Sequence, residues 1–153
     1  MELKLEVVVI PVSDVERAKR FYVEGLGCRM DVDHSSQTYE GALGVTFPGR
    51  PHYRLVQLTP PGSACSLWIG EGVTEAAPGS YQGMHLVAYD IEATRAELAG
   101  RGVEVGEFFH YGPQGRTAGL DPQRTDYASY FDLSDPDGNG WIVQEIKHRL
   151  PGR

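Results

Sequence analysis

Residues Val7–Gly27 read VVVIPVSDVERAKRFYVEGLG, and residues His85–Gly102 read HLVAYDIEATRAELAGRG. Each stretch is an apolar strand, an aspartate placed to start a helix, an apolar stripe at helical spacing and a glycine-bounded end. A shift of 76 residues lays Asp14 on Asp90, Val15 on Ile91 and Glu16 on Glu92. Each stretch leads to a Pro/Gly turn, TPPGS at Thr59–Ser63 and DPDGN at Asp135–Asn139, and then a last apolar strand. One repeat within 153 residues predicts a single domain, 1–153, of two halves at about 1–72 and 83–147. The segment Val73–Gln82, rich in Ala, Pro, Gly and Ser, joins them. Duplicated halves place matched residues around one shared cavity, so the chemistry is sought by comparing the halves.

In the first half, Glu6–Val12 is a near-continuous apolar run whose pairing is limited by Pro11, which has no N–H. Ser13 or Asp14 caps the helix, and Val15, Ala18, Tyr22 and Leu26 form its buried stripe up to Gly25 and Gly27. In the second half Asp90 caps, Ile91, Arg95 and Leu98 form the stripe, and Gly100 and Gly102 end it. Further strands are predicted at Cys28–Asp33, Tyr39–Phe47, Tyr53–Leu58 and Ser66–Ile69, and again at Val103–Phe108, Tyr127–Leu133 and Trp141–Ile146. The stretch His110–Asp126, with three glycines and two prolines, is read as a long loop, and loops of that length are functional or mobile.

Composition narrows the function. A net charge of −7 opposes a phosphate-backbone partner, so no nucleic acid is expected. No apolar run reaches the ~18 residues of a membrane span, and MELKLEVVV alternates charge with apolar residues, unlike a signal peptide. Cys28 and Cys65 follow no metal or redox spacing and are read as small buried hydrophobes, which fits a cytoplasmic protein. No nucleophile elbow, phosphate loop, dinucleotide fingerprint or CxxC pair is present.

The opening IPVSDVERAKRFY, the second-half GMHLVAYDIEATRAEL and the closing SDPDGNGW resemble the vicinal oxygen chelate superfamily, the glyoxalase, bleomycin-resistance and extradiol-dioxygenase group. The resemblance spans nearly the whole chain. It implies an α+β fold of two β-α-β-β-β modules, a curved mixed sheet around a central cavity with the helices outside. It also implies a homodimer, which open sheet edges favour independently. It leaves activity open, because that fold serves lyases and isomerases, dioxygenases and non-catalytic drug-binding proteins alike.

Metal-binding members of the superfamily take ligands from the first and last strand of each half. His85 stands in the second-half first strand, whereas Val7–Val9 offers no donor in the first half. Counting from the turns pairs Trp68 with Gln144 on the last strands, while Glu145 points to the opposite face unless a bulge intervenes. A set of Val, Trp, His and Gln is poor for a divalent cation, so no cofactor is expected. The alternative is a divalent metal held by His85 and Glu145.

The expected function is therefore capture of a small organic molecule, with or without metal-independent catalysis. The alternatives are a metal-dependent lyase or dioxygenase and an antibiotic-sequestering resistance protein. His85 is the candidate base or hydrogen-bonding group, and Trp68, Gln144, Arg116 and Tyr127 are the candidate ligand contacts, Arg116 from the long loop and Tyr127 just after it.

Overall fold

Three consecutive valines, Val7–Val9, open the first sheet as β1. Pro11 stops the strand soon after, once Ile10 N–H has reached Trp68 O at 2.7 Å. The computed structural model describes residues 1–36 and 53–149. The predicted strand Tyr39–Phe47 lies outside the described residues.

The chain forms two compact units, one of Met1–Tyr81 with Pro136–Asn139, the other of Gln82–Asp135 with Gly140–Arg153. Unit 1 runs β1, α1 (Val15–Arg20), a π-helical turn (Phe21–Gly25), β2 (Arg29–Ser35), β3 (Arg54–Thr59) and β4 (Ser66–Glu71). Its sheet order is β1-β4-β3-β2, with β1 parallel to β4 and the other pairs antiparallel. Unit 2 runs β5 (Met84–Ala88), α2 (Ile91–Gly100), β6 (Phe109–Gly112), β7 (Gly115–Ala118), β8 (Ser129–Ser134) and β9 (Gly140–Glu145). Its order is β5-β9-β8-β6-β7, again with the first and last strands of the module parallel. The repeated strand-helix-strand plan is thus borne out, with mixed sheets and one short helix per unit.

The caps are Asp14 and Asp90. Their carboxylates accept from Arg17 N and Ala93 N, both at 2.9 Å, from extended backbone. Each helical segment buries most of its predicted stripe, Val15, Ala18 and Tyr22 in unit 1 and Ile91 and Leu98 in unit 2, while Leu26 is only half-buried. Arg95 contributes differently, donating from Nε to Gly106 O at 2.7 Å while its guanidinium lies over Phe108. The sheets meet the helices with Val56, Leu58, Leu67 and Ile69 in one unit and Phe131, Leu133, Trp141 and Val143 in the other. Cys28 joins the first core, where burial pushes its thiol up to about 12. Cys65 is half-buried, not enclosed as expected.

Three further features depart from expectation. The predicted strand Val103–Phe108 carries only an isolated bridge, Val105 with Leu133. The predicted loop His110–Asp126 begins as a hairpin, β6 and β7, closed at Gly112 and Gly115 around Pro113–Gln114. The turn Pro136–Asn139 belongs to unit 1, where it works as a clamp. Asn139, fully buried, donates to Pro11 O at 2.9 Å and accepts from Tyr81 N at 3.1 Å. Asp137 accepts from Ser13 Oγ, from Ser13 N at 3.2 Å and from Arg17 at 2.9 Å. Gly79 is required beside it, because a Cβ there would lie 2.0 Å from Asp137 O.

Candidate functional site

In unit 2 the residues on the sheet alternate strictly. Trp141, Val143 and Glu145 on β9, and Phe131 and Leu133 on β8, are buried; Ile142, Gln144, Tyr130 and Asp132 take the other, more open face. The register aligns that face into rows. Val87 pairs with Gln144, Gln144 with Tyr130 and Tyr130 with Phe109, giving one row across four strands. His85, Ile142 and Asp132 form the row beside it.

The row is stiff and aromatic. Phe109 stacks on Tyr130 at 5.3 Å between centroids, and Tyr111 meets both edge-on at 5.8 and 5.7 Å. Arg116 lies over the Phe109 ring at 3.6 Å and is fixed to Asp132 at 2.9 Å. Phe109 is buried, whereas Tyr111 (64%) and Val87 (46%) are largely exposed, so the platform has an accessible apolar surface.

Gln144 donates from Nε2 to Tyr127 O at 3.0 Å and to Tyr130 Oη at 3.3 Å, and the Tyr130 hydroxyl donates to the same carbonyl. Tyr127 therefore enters the site through its backbone, in a left-handed conformation at φ 69°. His85 is exposed and its Nδ1 lies 2.8 Å from Gly83 O. The structure thus brings His85, Gln144, Arg116 and the Tyr127 carbonyl to one unit and one face or its rim.

Glu145 is on the helix side. It is 1% exposed, and Arg124 holds it with two bonds, 3.0 Å from Nε and 2.7 Å from Nη2. Arg124 keeps its carboxyl below the usual range. The alternative metal pair His85 and Glu145 is not assembled, because β9 pairs without a bulge and sends the two to opposite faces. Among the described residues no group of three or more His, Cys, Asp or Glu is placed to hold a metal ion. Within unit 1 Val7 stands beside Ser66, and within unit 2 His85 stands beside Ile142, so neither strand pair by itself supplies the donors a divalent cation needs.

Trp68 lies in unit 1, half-buried, on the sheet face that also carries Ser66, Gln57 and Thr59. A hydrogen-bond chain with one allowed direction crosses that face. Trp68 Nε1 donates to Gln57 Oε1 at 2.9 Å, Gln57 Nε2 to Ser66 Oγ at 3.4 Å, Ser66 to Thr59 at 2.8 Å, and Thr59 to Asp31. The Thr59 hydroxyl, with Arg29, holds the Asp31 carboxyl below its ordinary range. The indole N–H is consumed internally, so Trp68 offers a ligand only its ring. Nearby, a depression of about 440 Å³ is lined by Gly27, Arg29, Thr59 and the turn Pro60–Ala64.

The stretch His110–Asp126 is not one free loop. Its later part is pinned: Asp121 accepts from Thr125 N at 2.8 Å, Asp126 from Lys147 N and His148 N, and Tyr127 N donates to Glu145 O. Phe109, Tyr130 and Val87 escaped the sequence reading. Tyr130 was recoverable, since it alternates with buried Phe131 in a predicted strand. Phe109 was not, because it falls between the predicted strand Val103–Phe108 and the predicted loop His110–Asp126, where β6 in fact begins.

A family model described as Glyoxalase/Bleomycin resistance protein/Dioxygenase superfamily matches residues 4–143. TnmS3, an antibiotic binding protein from Streptomyces sp. CB03234, is 29% identical, covering 95% of this chain and 97% of its own, with a TM-score of 0.65. A glyoxalase/bleomycin resistance protein from the same organism is 30% identical over 93% and 100%, TM-score 0.63. A superfamily member from Sphaerobacter thermophilus DSM 20745 is 28% identical over 94% and 98%, TM-score 0.63. No curated protein matches the chain.

Proposed function

The chain belongs to the Glyoxalase/Bleomycin resistance protein/Dioxygenase superfamily, and from that premise we propose that it binds a small planar organic molecule on the open face of the unit 2 sheet, without a metal. The observation that carries this reading is the cross-strand row Val87–Gln144–Tyr130–Phe109, extended by Tyr111 and Arg116. Such a row is flat and rigid, with the Tyr130, Phe109 and Tyr111 rings toward one end and the polar Gln144 toward the other. A stacked ring adds about 0.5–1.5 kcal/mol per aromatic partner beyond what burial contributes. His85 and Gln144 anchor the ligand's polar groups and Arg116 closes the far end; Trp68 is proposed separately, as a stacking surface on its own sheet in unit 1. The antibiotic-binding character of the similar Streptomyces protein supports sequestration over turnover.

Calorimetric titration with a panel of planar aromatics tests the site. Arg116→Ala and Tyr111→Ala should each weaken a hit by roughly tenfold, and the ligand should be recovered unchanged by chromatography. Unaltered affinity in both variants would place the site elsewhere. A converted ligand would move the reading to catalysis.

We also propose a cytoplasmic homodimer. The exposed edge strand β7 and the free thiols Cys28 and Cys65 support this, and light scattering on the purified protein tests the dimer. Among the described residues no helix is long and apolar enough to cross a membrane.

A further inference from the structure

On the reading that a planar molecule lies over the unit 2 face, we propose that the molecule is a phenol, recognised as a hydrogen-bond donor by acceptors on His85 and Gln144. The argument is an inventory of protons. Gly83 O, 2.8 Å from His85 Nδ1, is a carbonyl and can only accept. The neutral ring must therefore carry its proton on Nδ1. That leaves Nε2 with a lone pair and no partner among the described residues.

The same logic fixes Gln144. Its nitrogen faces Tyr127 O, another carbonyl, so that atom is the amide nitrogen and not the oxygen. Its second proton goes to Tyr130 Oη, which can receive it because the Tyr130 proton is given to Tyr127 O. Both Gln144 protons are spent, and Oε1 remains an acceptor without a donor among the described residues. Tyr130 has no proton left to offer either.

The margin of the platform nearest β5 thus presents acceptors only. They stand on adjacent strands, one residue pair apart, since His85 pairs with Ile142 and Gln144 with Val87. That diagonal spans about 7 Å, with the apolar side chains of Ile142 and Val87 completing the patch. Arg116 and Asp132, the charged groups of this face, neutralise each other at its other end. An aromatic ether or carbonyl placed against His85 and Gln144 would set acceptor against acceptor. A hydroxyl on the ring satisfies one of them with its proton while the ring lies on the row.

The test compares 2,6-dihydroxynaphthalene with 2,6-dimethoxynaphthalene, by isothermal titration of the full-length protein near neutral pH. The diol should bind roughly tenfold tighter or more, the scale of one buried acceptor left unmatched. His85→Phe, at an exposed position, should keep the fold and the flat surface while reducing that preference several-fold. Gln144→Met serves as the second variant, with circular dichroism confirming that the sheet is intact. Equal binding of both probes by the wild type would overturn the donor inference and leave the platform standing. A preference undiminished in either variant would overturn the assignment to these two residues. Failure of both probes to bind would remove the platform reading, and this inference with it.

Discussion

Arg124 adopts a left-handed backbone, φ 52°, which a side chain with a Cβ occupies only when its surroundings hold it there. What holds it is Glu145, gripped at two points, and Glu92 at 2.8 Å. The carboxylate is enclosed and the guanidinium one-third exposed, so removal of Arg124 leaves a buried charge with no hydrogen-bonded cation and only Lys147, 3.8 Å away, beside it. Arg124→Ala should destabilise the protein by about 3 kcal/mol, the low end for a broken buried pair, in urea unfolding. The pH dependence follows from the direction of the shift. Arg124 depresses the Glu145 carboxyl, so the pair stabilises above the usual 4.5 and loses that contribution as pH falls through the folded value. In the variant, burial raises the carboxyl instead, and acid relieves it. The stability gap between the two proteins should therefore narrow below about pH 4.5, and a gap constant with pH would refute the pairing account. In unit 1 Asn139→Ala takes from Tyr81 N its side-chain acceptor and leaves Pro11 O with only the longer bond from Gly79 N, at 3.3 Å. A loss of about 2–3 kcal/mol is expected, where a simple turn residue would cost little.

The helices and core strands were legible because their signals are local. Asp14 and Asp90 cap as read, and the apolar stripes point inward because period and burial coincide. Asp90→Ala should cost about 1 kcal/mol and Asp90→Asn much less, measured by thermal unfolding. Asp14→Ala should act in the same direction. The hairpin β6–β7 was missed for a physical reason. All four residues of β7 are exposed, so FHYG and GRTA, split by Pro113–Gln114, carry no alternation for a sequence reading to detect. That miss concealed Phe109, and with it the centre of the aromatic row. His85 and Gln144 could be found from the repeat, but their company could not. Tyr127, a candidate ligand contact from the sequence, serves Gln144 and Tyr130 through its carbonyl.

Across the molecule, strand register resolves the one ambiguity in the repeat. Val7 pairs with Ser66 as His85 pairs with Ile142, which makes Val7 and His85 equivalent once the strands are offset by two residues. The first module therefore places a valine where the second places an imidazole. Treatment with a chelator should leave the melting temperature unchanged, and addition of Zn²⁺, Mn²⁺ or Ni²⁺ should not raise it. A rise of several degrees would reveal a ligand set these strands do not supply.

The clamp at Pro136–Asn139 has a temporal side. Unit 1 contains every residue up to Tyr81, where Gly79 N already reaches the Pro11 carbonyl, yet Pro11, Ser13 and Arg17 complete their bonding on a turn encoded far downstream. A ribosome adding about 5–20 residues per second needs several seconds to travel from Tyr81 to Asn139. The amino-terminal module must wait, incomplete, while most of the other is synthesised. A nascent chain stalled before Asn139 should stay open to protease at α1, and one stalled well beyond it should close.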